Sequence, residues 1–205
     1  AAHEPWRMGA SVLFDLLRGD EIPHRYAAQA GAQTVHGMLQ RKLNCPPTTS
    51  MGRYFDAAAG LLGTSEMQGY EGQAAMQLEA LAQRHGHIAA MPDGFILTQD
   101  GGLSLLPLFA SLADSEDAGR GAALFHATLI AGLSSWMESA ICRTGIRTVA
   151  LAGGCFLNDI LTIGLTDSLA SQGIRVLTAQ QLPPNDGAIS LGQASVALQQ
   201  IIKGV

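Results

Sequence analysis

The sequence is short of charge. Only 14% of its 205 residues are Asp, Glu, Lys or Arg, against roughly a quarter in an average soluble domain. Hydrophobic residues reach 47%, which excludes a disordered chain and implies a buried core of one or at most two domains. Basic residues are scarcer than acidic ones: 12 Lys and Arg stand against 17 Asp and Glu, a net charge of -5. A broad electrostatic footprint for nucleic acid is therefore not expected, although a small basic groove is not excluded. Long apolar runs are missing as well, because polar residues or glycines interrupt each one before the ~20 residues a bilayer span needs. The expectation is a soluble protein with no membrane partner. Cysteine is rare: Cys45, Cys142 and Cys155 are odd in number and lack CxxC spacing. That pattern argues against both a disulfide framework and a zinc knuckle, and fits a reducing cytoplasm. Neither an initiator Met nor a signal-peptide pattern precedes Ala1, so the chain is expected to be a piece of something longer.

What is present is mostly helical spacing. Apolar residues recur at that period over Pro5 to Leu17, and again over Ala27 to Leu43 after the breaker Pro23. Cys45-Pro46-Pro47 stops the second helix, and Thr48, Thr49 and Ser50 are candidate caps for a third over Met51 to Leu62. A fourth is expected over Gln73 to Gln83, after the turn Gly69-Tyr70-Glu71-Gly72. Gly94 to Leu106 has the form of a β-hairpin with Asp100-Gly101 at its tip. Helical spacing returns from Gly121 to Ile141, and Ala113 to Gly121 reads as a mobile connection.

From Thr148 the pattern becomes strand, helix, strand, helix. Thr148 to Ala152 ends in Gly153-Gly154; a helix covers Asn158 to Ser171; Ile174 to Leu177 forms a second strand; Ala188 to Ile202 closes the chain. Such alternation predicts parallel neighbours in an α/β layer, with ligands at the carboxyl ends of the strands. The chain accordingly divides into a mainly helical part, 1–92, and an α/β nucleotide-binding part, 93–205. No internal repeat or low-complexity tract occurs.

Several residues offer chemistry, each with a bland alternative. Gly153-Gly154 and Asn158 make either a nucleotide cradle or a tight turn with an Asn N-cap. Asp186, at the mouth of the last helix, is either a metal ligand or a helix cap. Asp56 is either the solvated edge of its helix or an acceptor for a sugar hydroxyl, and Glu71-Gly72 is equally open. His3, His24, His36 and His126 are isolated, while His85 and His87 sit two apart in a loop. Cys155 lies at a helix N-terminus, which lowers a thiol pKa, but no base accompanies it in the sequence.

Six ordered blocks then carry a resemblance. They are Glu4-Pro5-Trp6-Arg7-Met8, Thr49 to Ala57, Tyr70 to Ala75, Phe125-His126, Gly153 to Asn158, and Pro184-Asn185-Asp186-Gly187 followed by Leu191-Gly192-Gln193. Over essentially the whole chain these resemble the C-terminal, TsaD-like part of the HypF family of nickel–iron hydrogenase maturation carbamoyltransferases. The resemblance implies an α/β fold, an actin-like ATPase (ribonuclease H-like) lobe with helical insertions. It further implies that ATP adenylates a carbamate, and that the carbamoyl group passes to the terminal cysteine of a HypE-type acceptor protein, becoming the cyanide ligand of the hydrogenase iron.

By the same resemblance Gly153, Gly154 and Asn158 hold the adenosine, while Asp56 with Glu71 and Gly72 lines its ribose side. Asp186 helps bind a divalent metal whose other ligands, a histidine pair in an HxxxH-type motif, lie upstream and do not occur in this chain. No protein nucleophile is implied. Isolated from the remaining HypF domains, the fragment is expected to be inactive. Two departures are visible: Ala188 replaces an expected glycine, and Gln77 stands near where tRNA-modifying relatives place a ribose-binding glutamate. Threonylcarbamoyl transfer to tRNA and a non-catalytic partner-docking module are the alternative readings.

Overall fold

Pro5 opens the first helix of the computed structural model, which describes residues 3–203. In the first turn of α1 (Pro5–Asp15) the missing proline N–H costs no hydrogen bond. Trp6, Ala10 and Leu13 then share one face and are buried. Helix α1 stops short of Leu17, whose backbone turns left-handed at φ 61° and whose side chain is exposed.

Pro23 initiates rather than breaks: it sits in the first turn of α2 (Ile22–Arg25). The helix expected over Ala27 to Leu43 contracts to α3 (Ala32–Gln40). Turns closed by Gln29 N–H to the Tyr26 carbonyl and Ala32 N–H to the Gln29 carbonyl occupy its first part, anchored by the buried Tyr26 ring.

Helix α4 (Met51–Leu61) crosses α1 where both present glycine. A Cβ on Gly60 would fall 2.7 Å from the Pro5 carbonyl oxygen, and one on Gly9 would fall 3.1 Å from the Gly60 backbone. Only hydrogen fits there, and the Tyr26 hydroxyl donates to the Gly60 carbonyl at 3.2 Å beside the crossing. Helix α5 (Gln73–His85) follows the left-handed Gly72.

The hairpin exists but is short: β1 (Ile96–Leu97) pairs antiparallel with β2 (Leu103–Ser104). Where the sequence suggests a longer second strand, Leu105 turns into α6 (Leu106–Ala113), which buries Leu108, Phe109 and Leu112. The spacing predicts no helix here. The connection read as mobile is instead tied down. Asp114 pairs with Arg18 at 2.7 Å, and the Asp117 carboxylate accepts from the Arg120 N–H at 3.0 Å, capping α7 (Ala118–Thr144).

Helix α7 packs against α5 and against α8 (Asp159–Ser171), which buries Leu161, Leu165 and Leu169. On either side of α8 lie β3 (Thr148–Ala150) and β4 (Arg175–Leu177), parallel with Val149 opposite Val176. The last helix is α9 (Ile189–Lys203). The expected alternation and strand polarity are therefore present, and one buried cluster runs from Trp6 to Ile174, shared by the helical and α/β parts. Helix α9 stands apart: Ile189, Leu191, Val196, Leu198, Ile201 and Ile202 are each more than half exposed. Among the described residues no helix is long and apolar enough to cross a membrane.

Candidate functional site: the crevice at the strand ends

Beyond the carboxyl end of β3 the chain must reverse before α8, and Gly153 performs the reversal at φ 111°, ψ 158°, a conformation L-residues rarely adopt. Its N–H donates to the Pro184 carbonyl at 2.7 Å. A Cβ on Gly154 would meet the Asn185 Cβ at 3.9 Å, an ordinary contact. The loops following β3 and β4 thus adjoin, as parallel neighbours require.

Asn158 is almost fully buried. Its Oδ1 accepts from the Leu161 N–H at 2.9 Å, the N-cap bond of α8, and its Nδ2 lies 3.1 Å from His126 Nε2. Glu79, reaching across from α5, accepts from the Asp159 N–H at 2.6 Å and the Ile160 N–H at 3.3 Å. The first three N–H groups of α8, orphans in any helix, are therefore all satisfied by the chain itself.

Asp56 is buried on α4 rather than at a solvated edge. Oδ1 accepts from the Gln68 amide at 3.0 Å, and the Arg53 guanidinium lies 2.9 Å from Oδ2. Burial pushes the carboxyl above the ordinary aspartate range, with Arg53 and then Gln68 opposing. Gln68 also accepts from the Ala74 N–H at 3.1 Å, at the start of α5. That bridge joins Asp56 to the neighbourhood of Glu71 and Gly72, both of which are exposed. Gly72 adopts φ 81° with open space where a Cβ would stand.

The 3-10 turn Gly154–Leu157 contacts α4, and the Cys155 thiol senses both Arg53 and Asp56. Its pKa is raised, by burial first and with Arg53 opposing, against the lowering that a helix N-terminus would bring. The tertiary fold gathers Gly153, Gly154 and Asn158 against the helix that carries Asp56, and links Asp56 to the Glu71-Gly72 turn. Glu71, Gly72, Gly153 and Gly154 are exposed, whereas Asp56 and Asn158 are buried behind them.

Asp186 is exposed; its backbone carbonyl accepts from the Ile189 N–H, while its carboxylate makes no hydrogen bond or ion pair among the described residues. The cap reading moves one residue back: Asn185 accepts from the Gly187 N–H at 3.1 Å. No group of three His, Cys, Asp or Glu that could hold a metal gathers among the described residues, His85 and His87 included. Gln77, on α5, keeps a buried Oε1 with no hydrogen-bond partner.

Four contributors have no role assigned from the sequence, although His126 and Asn185 lie in blocks that carry the resemblance: His126, Gln68, Glu79 and Asn185. Each acts across a turn or between helices, and local spacing carries no trace of such a pairing. His126 had one signal, its position in an apolar stretch of a helix, where a lone polar ring needs partners.

Known proteins share this fold. Residues 1–193 match the family described as carbamoyltransferase, Kae1-like domain, second subdomain. The carbamoyltransferase HypF2 of Cupriavidus necator is 48% identical over 98% of this chain, which covers 28% of that protein. The carbamoyltransferase HypF of Rhizobium leguminosarum bv. viciae is 40% identical over 98% of this chain, covering 26% of that protein. A crystal structure of full-length HypF in its phosphate- and nucleotide-bound form superposes with a TM-score of 0.82 at 27% identity, over 96% of this chain and 26% of that one. The chain thus spans roughly a quarter of the length of these relatives. It belongs to the HypF carbamoyltransferase family, in the segment that forms the second subdomain of the Kae1-like domain.

Proposed function

We propose that this chain is the adenosine-holding portion of an ATP-dependent carbamoyltransferase. In the complete enzyme the carbamoyl group of a carbamoyl-adenylate passes to the C-terminal cysteine of a HypE-type acceptor, as a step toward the cyanide ligand of nickel–iron hydrogenase. The acceptor sulfur attacks the carbamoyl carbon, the bond to the adenylate oxygen breaks, and AMP leaves. No nucleophile from this chain is needed, and burial of Cys155 disfavours its thiolate.

One observation carries the reading: the Gly153 N–H to Pro184 bond joins the two strand-end loops, and the turn that follows Gly153 contacts the helix of Asp56. Parallel α/β layers bind ligands at that location. The chemistry of the crevice selects which part of the ligand lies there. Because Asn158 and Glu79 occupy the first three N–H groups of α8, that helix terminus has no free donors for a phosphate. The uncharged nucleoside suits the open backbone of Gly153-Gly154.

Asp186 offers one exposed carboxylate, which by itself does not make a metal site. In this reading it is one ligand of a divalent cation completed by upstream histidines. A cytoplasmic location follows from the reading as an expectation.

The test compares the 205-residue chain with one extended upstream to the relatives' length, assaying carbamoyl-dependent ATP turnover and carbamoylation of a HypE-type terminal cysteine. The long form is expected to be active and the short form inactive. Transfer by the short form would overturn the dependence on upstream parts. A salt-sensitive shift of tRNA would favour threonylcarbamoyl transfer, and acceptor binding indifferent to nucleotide would favour a docking module.

A further inference from the structure

His126 is 1% exposed on α7, yet no step of the proposed reaction uses it. Its two ring nitrogens are both engaged. Nδ1 lies 2.8 Å from the Ala122 carbonyl oxygen, which can only accept, so Nδ1 carries the proton. Nε2 is then a bare acceptor, and the group it faces at 3.1 Å is the Asn158 Nδ2. This pairing settles which way the Asn158 amide points, and Oδ1 is left directed at the Leu161 N–H.

The ring itself is held by aromatic edges. Phe125 stands 5.5 Å away at 83°, and Phe55 stands 5.7 Å away at 67°. Phe55 is the chain neighbour of Asp56, so His126 lies between the helix carrying Asp56 and the loop carrying Gly153, Gly154 and Asn158. Among the described residues no ion pair reaches the ring, whose hydrogen-bond partners are the Ala122 carbonyl and the Asn158 amide.

We propose that His126 is a positioning residue for the nucleoside loop: as the Nδ1–H tautomer it presents Nε2 to Asn158, locks that amide as the cap of α8, and so holds the Gly153–Asn158 turn against α4. A flipped amide would set its oxygen against the Nε2 lone pair and its NH2 against the Leu161 N–H, losing both bonds at once. Burial acts in the same direction, favouring the neutral ring. The role rests on the nucleotide reading above only for its effect on ligand affinity; the His126–Asn158 relation stands without it.

The experiment uses the full-length protein and the variants His126→Leu and His126→Gln. Leucine removes the acceptor, whereas the glutamine carbonyl can restore one. Two readouts are taken: ATP affinity by calorimetry and hydrogen exchange of the Leu161 amide. His126→Leu is expected to speed Leu161 exchange and weaken ATP binding by about ten-fold each, with His126→Gln recovering most of both. Unchanged exchange and affinity in His126→Leu would overturn the proposal, and so would a glutamine variant as impaired as leucine, since volume rather than an acceptor would then matter.

A measurement on the unmodified protein decides the case should His126→Leu not fold. Nitrogen NMR of the imidazole is expected to show the Nδ1–H tautomer at neutral pH, and an Nε2–H tautomer would overturn the assignment. If the unmodified enzyme binds no ATP, the nucleotide reading fails, while Leu161 exchange and the tautomer still decide the role of His126.

Discussion

The Gly153 N–H donates to the Pro184 carbonyl oxygen at 2.7 Å, joining the loop after β3 to the loop after β4. The two glycines of that turn differ. Gly153 is required by its own backbone, at φ 111°. Gly154 is not, because an added Cβ would find only the Asn185 Cβ, at 3.9 Å.

Gly154→Val should therefore fold nearly as well as the parent while filling space expected for the nucleoside. In the full-length enzyme the expected result is a loss of ATP affinity of about ten-fold or more, set against a stability change within about 1 kcal/mol. Calorimetry and thermal melting read the two separately. Unchanged affinity would reduce Gly154 to an ordinary turn residue.

Asn185 and Asp186 separate capping from charge. Asn185 holds the cap bond, so Asn185→Ala should cost about 1 kcal/mol. Exposed Asp186 should tolerate Ala or Asn with a change within about 0.5 kcal/mol. If its carboxylate is a metal ligand, both Asp186 variants should nevertheless lose divalent-metal affinity and carbamoyl transfer in the full-length enzyme, since a hard cation needs an anionic oxygen. Melting curves showing Asp186→Ala worse than Asn185→Ala would reverse the cap assignment.

His126 predicts a pH dependence of stability. Unfolded, its imidazole takes up a proton near pH 6.5; folded, burial holds it neutral to lower pH. Between those values the unfolded chain binds more protons, so the contribution is full above about pH 6.5 and declines as pH falls below it. Asp56 works in the opposite sense at lower pH, because its raised carboxyl pKa makes the folded state the one that binds the extra proton. Denaturant titrations at pH 5.5 and 7.5 of the parent and His126→Gln isolate the histidine: the parent should lose more stability on acidification, and equal losses would argue against a buried neutral ring.

Gly60→Ala tests the helix crossing. Its Cβ would lie 2.7 Å from the Pro5 carbonyl oxygen, which is backbone and moves only if α1 moves. Overpacking of this kind costs roughly 1–3 kcal/mol. Melting should drop accordingly, and a variant as stable as the parent would show that α1 and α4 separate easily.

Local chemistry alone determined much of this molecule. The four-residue spacing of Leu161, Leu165 and Leu169, close to one helical turn, marks α8, and strand, helix, strand, helix with Gly153-Gly154 at a strand end implies parallel neighbours. Those features depend on residues close in sequence, where periodicity and backbone preference act directly. Short-range signals failed where longer contacts decide: Leu106–Ala113 became helix because its apolar face found the core, and the acidic connection after it was tied down by Arg18, 96 residues away in sequence from Asp114. The site divides in the same way. Gly153 was legible because its conformation is its own, whereas the burial of Asp56, the hold of Glu79 on α8 and the orientation of Asn158 by His126 needed partners from other helices. A hydrogen bond between side chains distant in sequence leaves no period to read, and only packing decides which donors and acceptors meet.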